Sequence, residues 1–273
     1  MKTQKEKGEA FRALHARSRA FLIPNPWDLG TAQMLERLGF KALATTSAGY
    51  AFSVGKEDNT PDRMAVMQHL AEISAATDLP VSADLGNGFG DSPEIAAAAI
   101  RLAADAGVAG GSIEDATGHA DHAIYEHTQA AERVNAAAEA ARSLPFPFTL
   151  TARAENYLNG KLDLKDTIRR LQLYQQAGAD VLYAPGLTSR EDIRAVVKSV
   201  DRPVNVLVGL RGMNLTVEEL SELGVRRVSV GSGLYRAALG AFLRAAREMR
   251  ERGTFTFAEQ AAGSQEISEL LKG

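Results

Sequence analysis

Two acidic strand ends carry the chemistry that this sequence can offer. The stretch Pro80-Val81-Ser82-Ala83-Asp84-Leu85-Gly86-Asn87-Gly88-Phe89-Gly90-Asp91 and the later Gly111-Ser112-Ile113-Glu114-Asp115 each pass from a Gly or Pro boundary through an apolar run to a carboxylate. That is the pattern of a buried parallel strand whose C-terminal tip holds something polar. Two such tips can share one cation. Mg²⁺ takes oxygen ligands, keeps several waters and is commonly held by one or two carboxylates, so Asp84 and Glu114 suffice if a substrate completes the shell. Mn²⁺ is an alternative for the same donors. The competing reading makes both acids helix caps, but Ser92-Pro93 already supplies the start signal for the helix after Asp84.

These acids need elements to position them, and the chain supplies a regular alternation. Eight apolar runs fall at 20–25, 42–47, 81–85, 111–115, 148–152, 181–184, 204–208 and 228–231. Helical patterns separate nearly every pair, among them 60–77 with Met64, Met67 and Leu70 at helical spacing, and the alanine-rich 95–106. Strands alternating with helices give a parallel sheet. Four helices end alike, at Leu38-Gly39-Phe40, Ala106-Gly107-Val108, Ala177-Gly178-Ala179 and Leu223-Gly224-Val225, where glycine accepts the left-handed conformation at an αβ junction. Eight such units in 273 residues predict a closed (β/α)8 TIM barrel, a fold of about 250 residues, as a single domain over 1–273. An open dinucleotide-binding sheet is disfavoured, because Pro24-Asn25-Pro26-Trp27-Asp28 is no G-x-G-x-x-G turn. Additional helices flank the barrel. Residues 6–16, with Ala10, Phe11 and Leu14 on one side, can lid its floor; the pattern 122–142 reads as solvated through Glu126, Glu132, Arg133 and Glu139; and a basic helix 234–250 precedes a last helix 258–271.

A barrel of this kind presents its active site where the strands end. Strand two ends in Thr45-Thr46-Ser47-Ala48-Gly49-Tyr50, a turn whose backbone N–H groups can cradle a carboxylate. Strand five contributes Arg153 and Glu155, strand six Tyr183, strand seven Asn205 or Arg211, and strand eight the Gly231-Ser232-Gly233 turn. A metal, a guanidinium and an amide-lined nest describe a pocket for a small anionic acid. Several of these residues have ordinary explanations too. His119 and His122 can ligate a metal or move protons, yet histidines opening a surface helix are usually solvated. Asp58 in Lys56-Glu57-Asp58-Asn59 is a common kind of turn acid. Arg211 can simply pair with Glu218 or Glu219, and Trp27 and Tyr50 are more often packing. Arg153 is harder to dismiss, since an arginine in a barrel mouth is costly unless paired with an anion.

Composition narrows the function class. With 31 basic and 34 acidic side chains the net charge is -3, which offers neither a nucleic-acid surface nor a polybasic membrane patch. The absence of cysteine excludes disulfides, zinc-thiolate sites and a thiol nucleophile. The charged start leads into no apolar segment, and no stretch approaches the roughly 18 apolar residues of a membrane span, so a cytoplasmic enzyme of small-molecule chemistry is expected.

The ordered set Pro24-Asn25-Pro26-Trp27-Asp28, Thr46-Ser47-Ala48-Gly49, Asp58, Pro80 to Gly90, Ser112-Ile113-Glu114-Asp115, Ala152-Arg153-Ala154-Glu155 and Gln176-Ala177-Gly178-Ala179-Asp180 resembles the isocitrate lyase and phosphoenolpyruvate mutase superfamily across nearly the whole barrel. The resemblance implies a Mg²⁺-dependent (β/α)8 barrel acting on 2-oxo acids or their hydroxy-acid precursors through a metal-stabilised enolate. It assigns Asp84 as direct metal ligand, Glu114 and Asp58 as acids holding the metal through water, Arg153 as the arginine for the substrate carboxylate, and Ser47-Ala48-Gly49 as the backbone cradle. The departures are equally specific. The lyases' Lys-Lys/Arg-Cys-Gly-His segment is replaced by Ala116-Thr117-Gly118-His119-Ala120-Asp121-His122, and their Asp-Ala-Asp by Asp84-Leu85-Gly86.

The expectation is therefore a Mg²⁺ enzyme for a small 2-oxo acid, a dicarboxylate among the candidates, with lyase, decarboxylase or hydrolase chemistry. Arg153, Glu114 and His119 are its catalytic candidates; Thr46, Ser47, Ala48, Gly49, Asp84, Arg153 and Asn205 are its substrate-binding candidates. Phosphonopyruvate-type P–C cleavage and non-catalytic 2-oxo-acid binding stand as alternatives. Residues 255–273 form an extension in which Phe257, Ala261, Ile267, Leu270 and Leu271 make an apolar stripe. With the exchanged C-terminal helices that the resemblance implies, they predict a homo-oligomer, a tetramer first.

Overall fold

A computed structural model describes residues 1–272. Eight parallel strands, β1 (Phe21–Ile23), β2 (Leu43–Ala44), β3 (Val81–Asp84), β4 (Gly110–Glu114), β5 (Thr149–Arg153), β6 (Val181–Tyr183), β7 (Val204–Leu207) and β8 (Arg227–Ser229), pair in the order β1-β8-β7-β6-β5-β4-β3-β2. The seam between β1 and β2 is drawn together by Ala44 N–H donating to the Pro24 carbonyl at 3.1 Å. The Asn25 side chain spans the same seam, donating to the Thr45 carbonyl at 2.9 Å and accepting from Val230 N–H at 3.0 Å. All eight expected strands are present, and the (β/α)8 barrel is the observed fold.

The helices in chain order are α1 (Gln4–His15), α2 (Leu29–Arg37), α3 (Ser47–Ser53), α4 (Arg63–Ala75), α5 (Pro93–Asp105), α6 (His127–Arg142), α7 (Leu164–Gln176), α8 (Arg190–Lys198), α9 (Val217–Glu222), α10 (Gly233–Arg252) and α11 (Ser264–Leu271). The repeated glycine ends behave as expected: Gly39, Gly107, Gly178 and Gly224 take φ of 89°, 91°, 105° and 95°, a left-handed turn that lets each chain drop from helix to strand. Helix α1 closes the floor. Its Phe11 is fully buried with Phe21, Ile23, Ala42 and Ala109. Gly110 opens β4 beneath it because a Cβ there would lie 2.9 Å from the Phe11 ring and 2.6 Å from the Thr149 carbonyl.

The lumen is polar. Ser82, Ser112, Thr151, Asn205, Arg227 and Ser229 are all buried, and Arg227 Nη2 reaches Thr151 Oγ1 at 3.0 Å from β8 to β5, strands that are not neighbours. Barrel interiors are more often filled with Val, Ile and Leu. Here the apolar core lies between strands and helices, where Ala96, Ala99, Ile100 and Ala103 of α5 meet Val134, Ala137, Ala138 and Ala141 of α6.

Several local expectations are corrected. The helix expected over 122–142 starts at His127, because Thr117 N–H pairs with the Ala123 carbonyl and Ala116 bridges Ile124, folding 116–124 into a small hairpin that contains His119 and His122. Arg133, expected on the solvated face, is 1% exposed: it donates to the Gly90 carbonyl at 2.6 Å and to the Asn87 carbonyl, and lies 4.4 Å over the Tyr125 ring. A long side chain on a helix can thus tie down the carbonyls of a neighbouring loop. The helix expected over 258–271 is split by extended backbone at Ala261 into a 3-10 turn (Thr256–Gln260) and α11. Of the three residues at helical spacing in α4, Met67 and Leu70 are buried and Met64 is exposed.

Candidate active site

The register of the sheet places the polar strand ends side by side. Glu114 on β4 pairs with Arg153 on β5, and Arg153 with Tyr183 on β6. Arg153 is the centre of the group. Its Nη1 lies 2.8 Å from Asp84 Oδ1, its Nη2 3.1 Å from Glu114 Oε2, and its Nη2 and Nε 2.7 and 2.8 Å from Glu155 Oε1. The guanidinium carbon sits 5.1 Å from the centre of the Tyr183 ring. Burial works against the arginine's charge, but the Glu155, Glu114 and Asp84 charges outweigh it and hold its pKa well above the ordinary value. Glu114 moves strongly upward, first through burial and then through the repulsion of Glu155 and Asp84, with Arg153 opposing. Burial likewise raises Glu155. Below them Tyr183 is pushed up to about 12, chiefly by burial, so its hydroxyl keeps its proton at neutral pH.

Three carboxylates thus face one guanidinium, a surplus of negative charge in a partly enclosed mouth. A divalent cation is the natural complement of such a surplus, and the donors are all oxygens, which suits Mg²⁺. Among the described residues no three acids or histidines converge as a complete metal cage. An ion that keeps waters and takes substrate oxygens does not require one, so the residues present fit Mg²⁺.

The expected carboxylate cradle takes another form. Thr46-Ser47-Ala48-Gly49 is not an open turn but the N-cap and first residues of α3. Ser47 N–H donates to Asp84 Oδ2 at 3.0 Å, and Gly49 N–H is taken by Thr46 Oγ1 at 3.2 Å. Two of the amides expected for a ligand are therefore spent on fixing Asp84 and capping the helix. Gly49 is needed for space, since a Cβ there would stand 2.5 Å from Thr46 Cγ2. Asp58 lies in the mouth, where desolvation raises its carboxyl, a hydrogen bond from the Ser47 side chain opposes that, and the Asp84 charge adds to the rise.

The remaining candidates are placed as follows. Asn205 lines the same small cavity, but both ends of its amide are engaged, Nδ2 donating to Ser229 Oγ at 3.0 Å and Oδ1 accepting from Arg227 Nε at 2.9 Å. His119 is not gathered into the Arg153 cluster; it is exposed on the 116–124 hairpin, 4.0 Å from Asp91 and stacked on His122. Arg211 is exposed, and its expected partners are taken, Glu218 by Arg19 and Glu219 by Arg190. Trp27 packs edge-on to Tyr235 at 5.4 Å, as expected of a packing residue.

Two groups escaped the sequence reading. Arg227 is buried beneath the mouth, its pKa lowered to about 10 by burial, so it remains charged at neutral pH. It immediately precedes the apolar run that begins at Val228, and a cation one step outside a strand looks like a boundary. The second is the set around Asp115, which accepts from Arg170 Nη1 at 3.0 Å, Tyr174 Oη at 2.5 Å and Glu155 N–H at 2.7 Å. Arg170 and Tyr174 stand four apart on the buried stripe of α7 with Thr167 and Leu171, a spacing legible in principle.

The mouth holds two adjoining cavities. One of about 160 Å³ is lined by Asp84, Arg153, Tyr183 and Asn205; the other, of about 750 Å³, shares Thr45, Thr46, Ser47 and Asp84 with it and extends towards α4 and the 116–124 hairpin.

Comparison with known proteins completes the picture. Residues 11–250 match the family described as phosphoenolpyruvate phosphomutase. A solved structure from Burkholderia cenocepacia, provisionally named a lyase/mutase, is 61% identical, covers 99% of this chain and 97% of its own, and superposes with a TM-score of 0.96. A 2-methylisocitrate lyase of Halalkalibacterium halodurans is 28% identical over 97% of this chain and 88% of its own. Phosphonopyruvate hydrolase, solved with oxalate and Mg²⁺, is alike in fold alone, at 23% identity and a TM-score of 0.85 over 98% of this chain and 95% of its own. The chain belongs to the phosphoenolpyruvate phosphomutase family, within the superfamily that its strand-end motifs resemble, and is an enzyme of the lyase type.

Proposed function

We propose that the mouth binds a small 2-oxo acid, or its hydroxy-acid precursor, together with Mg²⁺, and breaks a bond at the carbon next to the carbonyl in lyase, decarboxylase or hydrolase chemistry. The observation that carries this reading is Arg153 held between Asp84, Glu114 and Glu155 with negative charge in excess. Asp84 and Glu114 would hold the metal, with Asp58 acting through water; Mn²⁺ would serve the same donors. When bound, the metal supplies a fixed positive charge next to the oxygen on which negative charge develops. Arg153 orients the substrate carboxylate, a task for which its planar fork is suited. Glu155 and Asp84 hold that fork in place, and Ser47 N–H holds Asp84. Tyr183 presents a neutral hydroxyl. His119, on the exposed hairpin at the rim of the mouth, is the candidate for moving a proton in place of the absent thiol.

The relatives support the substrate class, being named for methylisocitrate and for phosphonopyruvate, with oxalate and Mg²⁺ bound in the latter. Calorimetric titration of oxalate with Mg²⁺ and with EDTA, followed by turnover of a panel of 2-oxo and 2-hydroxy acids that includes phosphonopyruvate, tests the proposal. Mg²⁺-dependent oxalate binding and turnover of a 2-oxo acid are expected; oxalate binding that ignores Mg²⁺ would remove the metal from the reading. Isocitrate and 2-methylisocitrate are expected to be poor substrates, because a missing acid or base is worth about 10²- to 10⁴-fold.

We also propose a homo-oligomer, a tetramer first, in which 255–273 or the helix before it contacts a neighbouring barrel. All twenty residues of α10 keep some exposure, with Phe242 at 64% and Leu243 at 41%, and Phe255 beyond it is at 65%. Helix α11 meanwhile lies on α2 of its own chain. A cytoplasmic location is part of the same proposal, supported by the finding that among the described residues no helix is long and apolar enough to cross a membrane.

A further inference from the structure

The smaller cavity matches the size of the reacting end of a 2-oxo acid, but the adjoining chamber of about 750 Å³ is far larger than such an end requires. Asp84 and Glu114 line it, so whatever fills it abuts the acids proposed to hold the metal. One side of it is uncharged and apolar, while Thr45, Thr46, Asn59, Asn87 and Thr117 line it elsewhere with neutral polar groups. Tyr50 and His69 stack face to face at 3.9 Å between ring centres, and Val66, Leu85 and Phe89 continue the surface. His69 is buried, and burial lowers its pKa to about 4, so the wall carries no charge at neutral pH. The charges that do face the chamber lie at its rim and at the site, and there Asp62, Asp91, Asp84 and Glu114 outnumber Arg63. Arg153, the strongest nearby cation, lines the smaller cavity and not the chamber, and there it serves the carboxylate of the reacting end. A second carboxylate at the far end of a substrate would find acids rather than a partner.

We propose that the physiological substrate is a monocarboxylic 2-oxo or 2-hydroxy acid carrying a neutral alkyl or aryl extension, which lies along the Tyr50–His69 wall while the reacting end occupies the Arg153 cluster. This inference rests on the substrate class proposed above and replaces its dicarboxylate option with an apolar one. Transfer of apolar surface from water supplies the selectivity, at about fourfold in affinity for each buried methylene, the equivalent of ~0.8 kcal/mol.

The test is calorimetry on the full chain with Mg²⁺, using oxalate, 2-oxobutanoate, 2-oxohexanoate, 4-phenyl-2-oxobutanoate and 2-oxoadipate. Affinity is expected to rise about fourfold per methylene from 2-oxobutanoate to 2-oxohexanoate, with the phenyl compound tighter still and 2-oxoadipate weaker than 2-oxohexanoate. Val66→Phe, which narrows the chamber, should cancel the gain for the long ligands and leave oxalate within about twofold, since a filled apolar pocket cannot accept added methylenes without strain. The ligand series on the unaltered protein stands even if that variant does not fold. Oxalate binding combined with a flat length series, or with 2-oxoadipate tighter than 2-oxohexanoate, would overturn this inference alone. Failure of oxalate and every 2-oxo acid to bind would overturn the underlying substrate class and this inference with it.

Discussion

Glu114 and Asp115 are neighbours in sequence, yet the end of β4 sends them into two different environments. Asp115 turns outward into the helix layer and has every oxygen engaged, by Arg170, by Tyr174 and by the Glu155 amide. Arg170 is itself doubly paired, with Asp166 at 2.7 Å, and donates to the Tyr125 carbonyl at 2.8 Å. Glu114 turns into the mouth and meets one shared guanidinium. Both are carboxylates beside an arginine, but the first set is complete and the second is not. Complete sets hold a fold together, while a set with charge to spare is where a ligand completes the balance.

The largest expected effect tests the complete set. Asp115→Ala leaves Arg170 with Asp166 alone and deprives the buried Tyr174 hydroxyl and Glu155 amide of their acceptor, and removing one partner of a buried pair costs roughly 3–5 kcal/mol. Urea unfolding should show that loss; a cost below about 1 kcal/mol would mean that Asp115 is no more structural than a surface acid.

Asp84→Ala probes the incomplete set and should behave in the opposite sense. Mg²⁺-dependent oxalate affinity should fall by about a hundredfold or more, as expected when a direct ligand of a sparsely held ion is removed. Stability should hold or rise, because Arg153 keeps two carboxylates and repulsion among the acids falls. Unchanged Mg²⁺ dependence in the variant would break the comparison at its centre.

Buried bases that are neutral offer a third case, and pH exposes them. His15 has its pKa depressed to about 3, by burial first and by the Arg227 charge second, and burial takes His69 to about 4. In the unfolded chain both titrate near the ordinary histidine value of about 6.5. Between those limits the unfolded chain binds protons that the folded chain refuses, so stability falls as pH drops below about 6.5. Each should subtract roughly 2 kcal/mol by pH 5. Unfolding measured at pH 7 and pH 5 should show a smaller difference for His15→Gln than for the parent chain; equal differences would mean that His15 titrates in the folded state.

The smallest energetic stake, though the plainest readout, is at the tail. Light scattering should give the full chain a mass above the 29.2 kDa monomer, and a chain ending at Gly253 should dissociate or aggregate. A monodisperse full-length monomer would mean that α11 on α2 is its whole role.

Strand ends, glycine junctions and caps were readable because they are local: period, punctuation and a carboxylate at the tip of an apolar run follow from backbone preferences over a few residues. Thus the barrel, the floor helix with Phe11, and the arrival of Asp84, Glu114 and Arg153 at neighbouring strand ends are written in the one-dimensional pattern. Whether a polar side chain is free or engaged is not. Arg133 looked solvated and is buried against the carbonyls of a loop some forty residues away; Asn205 looked available and is consumed by Arg227 and Ser229; the Ser47 and Gly49 amides looked like a ligand cradle and instead hold Asp84 and cap α3. Each outcome depends on partners brought together across the barrel by strand register. By itself the sequence determined which strand ends carry the acids and the Arg153 guanidinium. Only the tertiary structure decided which of them arrive with charge or hydrogen bonds left over, because satisfaction of a buried polar group is a property of its neighbours in space.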